Sequence, residues 1–133
     1  MTFGFRLYDF RLYDYYVMKT LIQLEEAAML GLAIYLFSLL PFAWWWFPVL
    51  ILVPDLAMLG YAFGAKAGAW AYNLAHHKGV AIALYIAGVY AGQPIVQLAG
   101  VILFAHSSMD RLFGYGLKYE KGFKFTHLGE IGK

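Results

Sequence analysis

"PIVQLAGVILFAHSSMDRLF", residues 94–113, decides how this chain folds. It opens with a proline, stays almost wholly apolar for three turns' worth of chain, and then introduces His106, Asp110 and Arg111. As a helix, ~20 residues at ~1.5 Å of rise each match the ~30 Å hydrocarbon core of a bilayer. An ionisable side chain near the middle of such a span costs ~2.5–3.5 kcal/mol even on the gentlest insertion scale, so these groups are expected to face one another inside a bundle. His106 and Asp110 stand four residues apart, which places both on one helical face.

The rest of the composition agrees with a membrane setting. Of 133 residues, 62% are hydrophobic, 20% aromatic and only 14% charged, a balance far from that of a soluble domain. The chain has no cysteine, which excludes disulfides, thiolate metal ligation and thiol catalysis. A net charge of +2 gives no reason to expect nucleic acid as a partner. The expected partner is the lipid bilayer itself.

Working outward, three more apolar stretches precede the first one quoted. They run from about Ile22 to Leu40, stopped by Pro41; from about Trp44 to Phe63, opened by three consecutive tryptophans; and from about Ala67 to Ala91, with Gly79 available for a bend. Each is long enough to cross as a helix, and none alternates apolar with polar residues as a barrel strand must. The connectors at 41–43 and 91–94 carry no Lys or Arg, whereas Lys66, Lys19 and the tail lysines 118, 121, 124 and 133 fall on the other side. Basic residues stay cytoplasmic. The expectation is an all-α polytopic membrane protein with about four transmembrane helices and both termini cytoplasmic. Residues 21–133 form its single domain, with a short cytoplasmic tail.

Residues 1–20 read as a leader in which FRLYD occurs at 5–9 and again at 10–14. Its Tyr, Phe and Arg content suits an interfacial segment with Arg6 and Arg11 toward phosphate. The alternative is that the first 17 residues are an extension ahead of a start at Met18.

Measured from the cytoplasmic ends, Asp55, Asn73, His76, His106 and Asp110 all lie ~5–14 Å deep. Three different spans thus bring polar groups to one half of the bilayer. Gly60, Gly64, Gly68, Gly88 and Gly100 would let the helices approach closely enough for them to meet. Imidazole nitrogen with carboxylate oxygen is a donor mixture that suits a divalent metal such as zinc. Asp55, His76, His106 and Asp110 are the candidate ligands and the candidate catalytic groups, with His127 of the tail as a further metal candidate if the tail folds back. Asn73, Ser107 and Arg111 are candidates for orienting those ligands or a substrate, Arg111 being suited to a phosphate. A plainer reading of His106 and Asp110 is a hydrogen-bonded pair that only stabilises the bundle. Arg111 and Lys118 read as snorkelling anchors. Lys78 must snorkel, pair with an acid or sit at a helix break, and Glu25 or Glu26 could reach inward to a cation.

"PDLAMLGY" (54–61), "YNLAHH" (72–77), "AHSSMDRLFGYGLKY" (105–119) and "FTHLGEIGK" (125–133) together resemble a bacterial family of small four-span membrane proteins known as a domain of unknown function. That resemblance implies location in the inner membrane and architecture, not an activity. More distantly, the order Pro54-Asp55, His76, then His106 with Asp110 is similar to that of inner-membrane metal-dependent hydrolases. That family tends to carry a second acid and a histidine after Pro-Asp, where this chain has "PDLAM". The similarity implies a metal-dependent hydrolase, and the substrate expected for one at this depth is a lipid or phosphorylated small molecule near the cytoplasmic leaflet. The competing expectations are a small proton- or ion-coupled transporter subunit, with a homodimer supplying symmetry, and a structural membrane protein whose polar cluster fixes helix register.

Overall fold

The computed structural model describes residues 2–133, with side chains from Asp9 onward; the expected headgroup contact of Arg6 lies outside the described side chains. Helix α1 spans Thr2–Ser38, followed by α2 (Trp46–Leu50), a 3₁₀ segment (Val53–Phe63), α3 (Ala65–Ala75), α4 (Lys78–Tyr90) and α5 (Pro94–Leu112). A two-stranded antiparallel hairpin, β1 (Phe125–Thr126) and β2 (Gly129–Glu130), closes the chain. The protein is therefore mostly helical. Two helical stretches, Asp9–Ser38 and Trp46–Phe63, are long and apolar enough to cross a membrane, with mean hydropathies of 1.4 and 1.7. The helical backbone is continuous from the leader into the first apolar stretch.

Two of the expected spans are interrupted, and each interruption has a local cause. The second stretch is not one α-helix, because Pro54 has no N–H to continue an α-ladder. From there the bonding tightens to the i→i−3 pattern, with the Asp55 amide donating to the Leu52 carbonyl at 3.2 Å. The carbonyl of Ile51 is left without the amide it would have received in an α-helix. The third stretch breaks at His76–His77 rather than bending at Gly79. His77 is extended (φ −91°, ψ 112°), and its Nδ1 accepts the Val80 amide as the cap of α4. Gly79 leaves room for that ring, since a Cβ there would lie 2.8 Å from His77 Cε1.

Helix α5 is the hub. Leu98, Val101, Ile102, Phe104 and Ala105 pack with Ala33 and Phe37 of α1 and Ala81 of α4 in one apolar core. Close approach of α4 to α5 depends on the small residues the sequence offered. A Cβ on Gly100 would stand 2.5 Å from the Tyr85 amide nitrogen, and one on Gly88 the same distance from that of Gln97. The 3₁₀ segment folds back on α3 in the same way, with Gly68 under the Tyr61 ring and Gly60 against Ala71. Gly64 serves differently: nothing crowds it, but its φ of 112° makes the turn between those two elements, a conformation open to glycine.

The tail returns to the bundle. Asn73 clamps the backbone of Lys118 from both sides, its amide donating to the Lys118 carbonyl at 2.8 Å and its carbonyl accepting the Lys118 amide at 2.6 Å. Trp70 donates to Glu120 at 2.7 Å. The Leu117 amide donates to His127 Nδ1 at 2.8 Å, and Lys118 bridges to Thr126.

Candidate metal centre

Proline and the helix break build the site before any functional group is considered. The Ile51 carbonyl freed beside Pro54 accepts a hydrogen bond from His106 Nδ1. At the other interruption α3 runs out of amides, and the Tyr72 carbonyl accepts both the His76 amide at 3.0 Å and His76 Nδ1 at 2.8 Å. Carbonyl oxygens only accept, so both Nδ1 atoms carry hydrogen, and in the neutral ring each Nε2 presents a lone pair. Arg111 Nη2 donates to the His76 carbonyl at the break, at 3.1 Å.

The two Nε2 atoms converge on two carboxylates. His76 Nε2 lies 3.5 Å from Asp55 Oδ1 and 3.4 Å from Asp110 Oδ2; His106 Nε2 lies 3.2 Å from Asp55 Oδ1 and 3.5 Å from Asp110 Oδ1. Both histidines are fully buried, and neither Nε2 has a hydrogen-bond partner among the described residues. Four electron-pair donors within 4.8 Å of one another repel unless positive charge sits among them. An ion ~2.0–2.2 Å from each of four donors in a tetrahedron spaces neighbours ~3.3–3.6 Å apart, close to the four imidazole–carboxylate separations seen here. This buried group can hold a metal, and its nitrogen and oxygen donors suit zinc, iron or manganese rather than copper(I).

Around these four, further contacts fix the geometry. Tyr72 stacks on the His76 ring (centroids 3.7 Å apart, planes at 12°) and its hydroxyl donates to Asp110 Oδ2 at 2.6 Å. The two imidazoles meet edge to face at 4.7 Å. Asp110 is 12% exposed at its side chain and Asp55 36%, so access is from the Asp55 side. A cavity of about 160 Å³ opens there, bounded by the two aspartates, Met58, Tyr72, Tyr115, Lys118 and Phe123.

The other expected site residues fall outside the four. Asn73 holds the tail, Ser107 Oγ donates to the Leu103 carbonyl at 2.7 Å, and Arg111 bonds the His76 and Tyr115 carbonyls. His127 lines a separate cavity of about 430 Å³, together with Arg111, Glu26 and Lys78. Its Nδ1 is occupied by the Leu117 amide. Lys118 is a correction: the expected snorkelling anchor is only 4% exposed. The Asn73 clamp turns the tail inward and carries the side chain with it. Burial pushes the Lys118 ammonium below its usual pKa range, and Asp110 and Asp55 pull it back up. Lys78 pairs with Glu26, itself buried, at the first turn of α4.

A family model described as Domain of unknown function (DUF4260) matches residues 19–131. The chain belongs to that family. The DUF4260 match contains Asp55, His76, His106 and Asp110, together with Tyr72, Asn73 and Lys118 around them. No curated protein and no solved structure matches the chain. Sequence reasoning overlooked Tyr72 and the inward turn of Lys118. Tyr72 had a signal, since it sits one helical turn before His76 on the same face; Lys118 had one too, because Gly114 and Gly116 allow the chain to reverse straight after α5.

Proposed function

We propose that this DUF4260 protein is a four-span inner-membrane protein with cytoplasmic termini that uses the Asp55, His76, His106 and Asp110 centre as a metal-dependent hydrolase. Its substrate is a lipid or phosphorylated small molecule reached from the cytoplasmic leaflet. Two buried imidazole nitrogens without hydrogen-bond partners, each aimed at the same two carboxylates, carry this proposal. In support of the span count, α5 has 19 residues, ~28 Å of rise. At the break between α3 and α4 side chains take up freed backbone groups, His77 Nδ1 the Val80 amide and Arg111 the His76 carbonyl, as an interruption at membrane depth requires.

A bound divalent ion supplies Lewis acidity toward a phosphoryl or carbonyl oxygen. The chain's own groups do the rest. His76, His106 and Asp110 would hold the ion, each imidazole in a fixed tautomer and Asp110 oriented by the Tyr72 hydroxyl. Asp55, the more exposed carboxylate, takes the proton from a water that attacks from the cavity as the bond to the leaving group breaks. The tail, docked by Asn73, separates the cavity from bulk solvent.

The test is metal analysis of the detergent-purified protein with hydrolysis of p-nitrophenyl phosphate and short-chain phosphatidic acid. Stoichiometric metal and chelator-sensitive turnover are expected; folded protein without metal overturns the proposal. The helix break at His76–His77 favours a second reading, because broken helices frame ion sites in transporters. That reading expects pH-dependent flux in liposomes that Asp55→Asn abolishes, with no hydrolysis.

A further inference from the structure

We infer that Lys118 is the oxyanion-binding residue of the substrate site, so that the cavity beside Asp55 and Asp110 takes a phosphoryl group between the metal centre and this ammonium. The inference rests on the metal reading above and adds to it a residue and a substrate charge.

Lys118 is buried to 4% exposure, and no carboxylate lies within ion-pair distance of its Nζ among the described residues. Among the described residues its Nζ lies over two ring faces, Phe123 with its centroid at 4.0 Å and Tyr72 at 4.8 Å. Cation–π contact offsets only part of the cost of burying an ammonium. A lysine held in this state has donors to spare, and it lines the 160 Å³ cavity together with the two aspartates. The backbone around it is deliberately fixed: both the amide and the carbonyl of Lys118 are bonded to Asn73. A half-buried asparagine holding the Lys118 backbone at two points suits a fixed residue rather than one that reaches for lipid headgroups.

Charge then selects the ligand. A divalent ion balances the two carboxylates, and Lys118 leaves the pocket with one positive charge in surplus. An anion is what such a pocket favours. A phosphoryl group can present one oxygen toward the metal centre and another to the ammonium, and three N–H donors on Lys suit it as a point-charge phosphate binder. Phe123 and Tyr115 leave the remaining walls apolar, fitting an ester or lipid glycerol behind the phosphate. A phosphate of either source, soluble ester or lipid headgroup, has this chemistry.

The test uses the full chain in detergent, loaded with zinc, and titrates inorganic phosphate and dihexanoyl phosphatidic acid by calorimetry. Wild type is expected to bind phosphate, Lys118→Met to keep stoichiometric zinc yet bind phosphate at least tenfold more weakly, and Lys118→Arg to stay within about threefold of wild type. Tighter binding of the phosphatidic acid assigns a lipid source and equal binding a soluble one, both supporting the inference. Should Lys118→Met lose its fold, the ¹⁵Nζ resonance of Lys118 in wild type serves instead, and it is expected to shift on phosphate addition. Unchanged phosphate affinity in zinc-loaded Lys118→Met, or a ¹⁵Nζ resonance that phosphate does not move, overturns the inference while the metal reading stands. Wild type that takes up no zinc overturns the metal reading, and the inference with it.

Discussion

His106 and Asp55 meet beside a proline, Pro54, the residue that precedes Asp55 in the chain. Pro54 forces the chain into a 3₁₀ segment whose first turn carries Asp55, and the same change leaves the Ile51 carbonyl free to accept His106 Nδ1. One residue thus aims a carboxylate from one side and fixes an imidazole tautomer from the other, bringing Asp55 Oδ1 to 3.2 Å from His106 Nε2. Pro54→Ala is expected to restore an α-ladder, remove the carbonyl acceptor and weaken zinc affinity by ~10–100-fold, as losses beside metal ligands do. Competition with a fluorescent chelator measures it; unchanged affinity would show that the proline has no such role.

Tyr72 offers a cleaner perturbation. Its hydroxyl bonds Asp110 at 2.6 Å while its ring stacks on His76, so Tyr72→Phe removes only the first contact. Zinc affinity is expected to fall by ~10-fold, at the low end of such effects, with the thermal unfolding midpoint nearly unchanged. A large loss of stability without a loss of affinity would assign Tyr72 to packing alone.

Much of this architecture was legible in the residues. Periodicity and the low count of ionisable groups gave the helical stretches, and equal depth gave the grouping of Asp55, His76, His106 and Asp110, which the fold does bring together. The glycines foretold close packing at 60, 68, 88 and 100 but not the turn at Gly64. What hydropathy could not register was interruption. The apolar residues on either side of His76–His77 are continuous, and the break is made by two imidazoles bonding backbone groups, an interaction with no hydrophobic signature. Lys118 was hidden for a related reason, since a lysine after an apolar run reads as an anchor unless the partner that turns it inward, Asn73, is known.

The pair Lys78 and Glu26 joins α4 to α1 with both side chains mostly buried, at 21% and 11% exposure. Glu26→Gln leaves the ammonium without its counter-charge and is expected to cost on the order of 2 kcal/mol, less than a fully buried pair because Lys78 keeps some contact with solvent. The double variant Glu26→Met with Lys78→Met is expected to recover most of that loss. Thermal unfolding in detergent of all three proteins checks it, and a double variant as unstable as Glu26→Gln would contradict it.

Docking of the tail is expected to depend on pH through His127. Burial, with Arg111 adding to it, holds the folded pKa of His127 below the ordinary value, and its neutral Nδ1 accepts the Leu117 amide. A depressed histidine pKa means the unfolded tail binds the proton more readily than the docked one. The contribution of this contact is therefore fully present above about pH 6.5 and is lost as pH falls through the folded pKa. Hydrogen exchange at the Leu117 amide is expected to accelerate on acidification beyond the ordinary pH trend, and His127→Gln to abolish that excess. Equal behaviour of both proteins would place the tail's stability elsewhere, for instance in the Asn73 clamp.

The most direct measurement is the metal content of the purified protein, by mass spectrometry of the wild type and of the His76→Ala, His106→Ala double variant after exposure to zinc and removal of free ion. One equivalent retained by wild type and none by a double variant that keeps its helical circular dichroism is the predicted result. A folded wild type that retains no zinc, iron or manganese, or a double variant that retains as much as wild type, would contradict it.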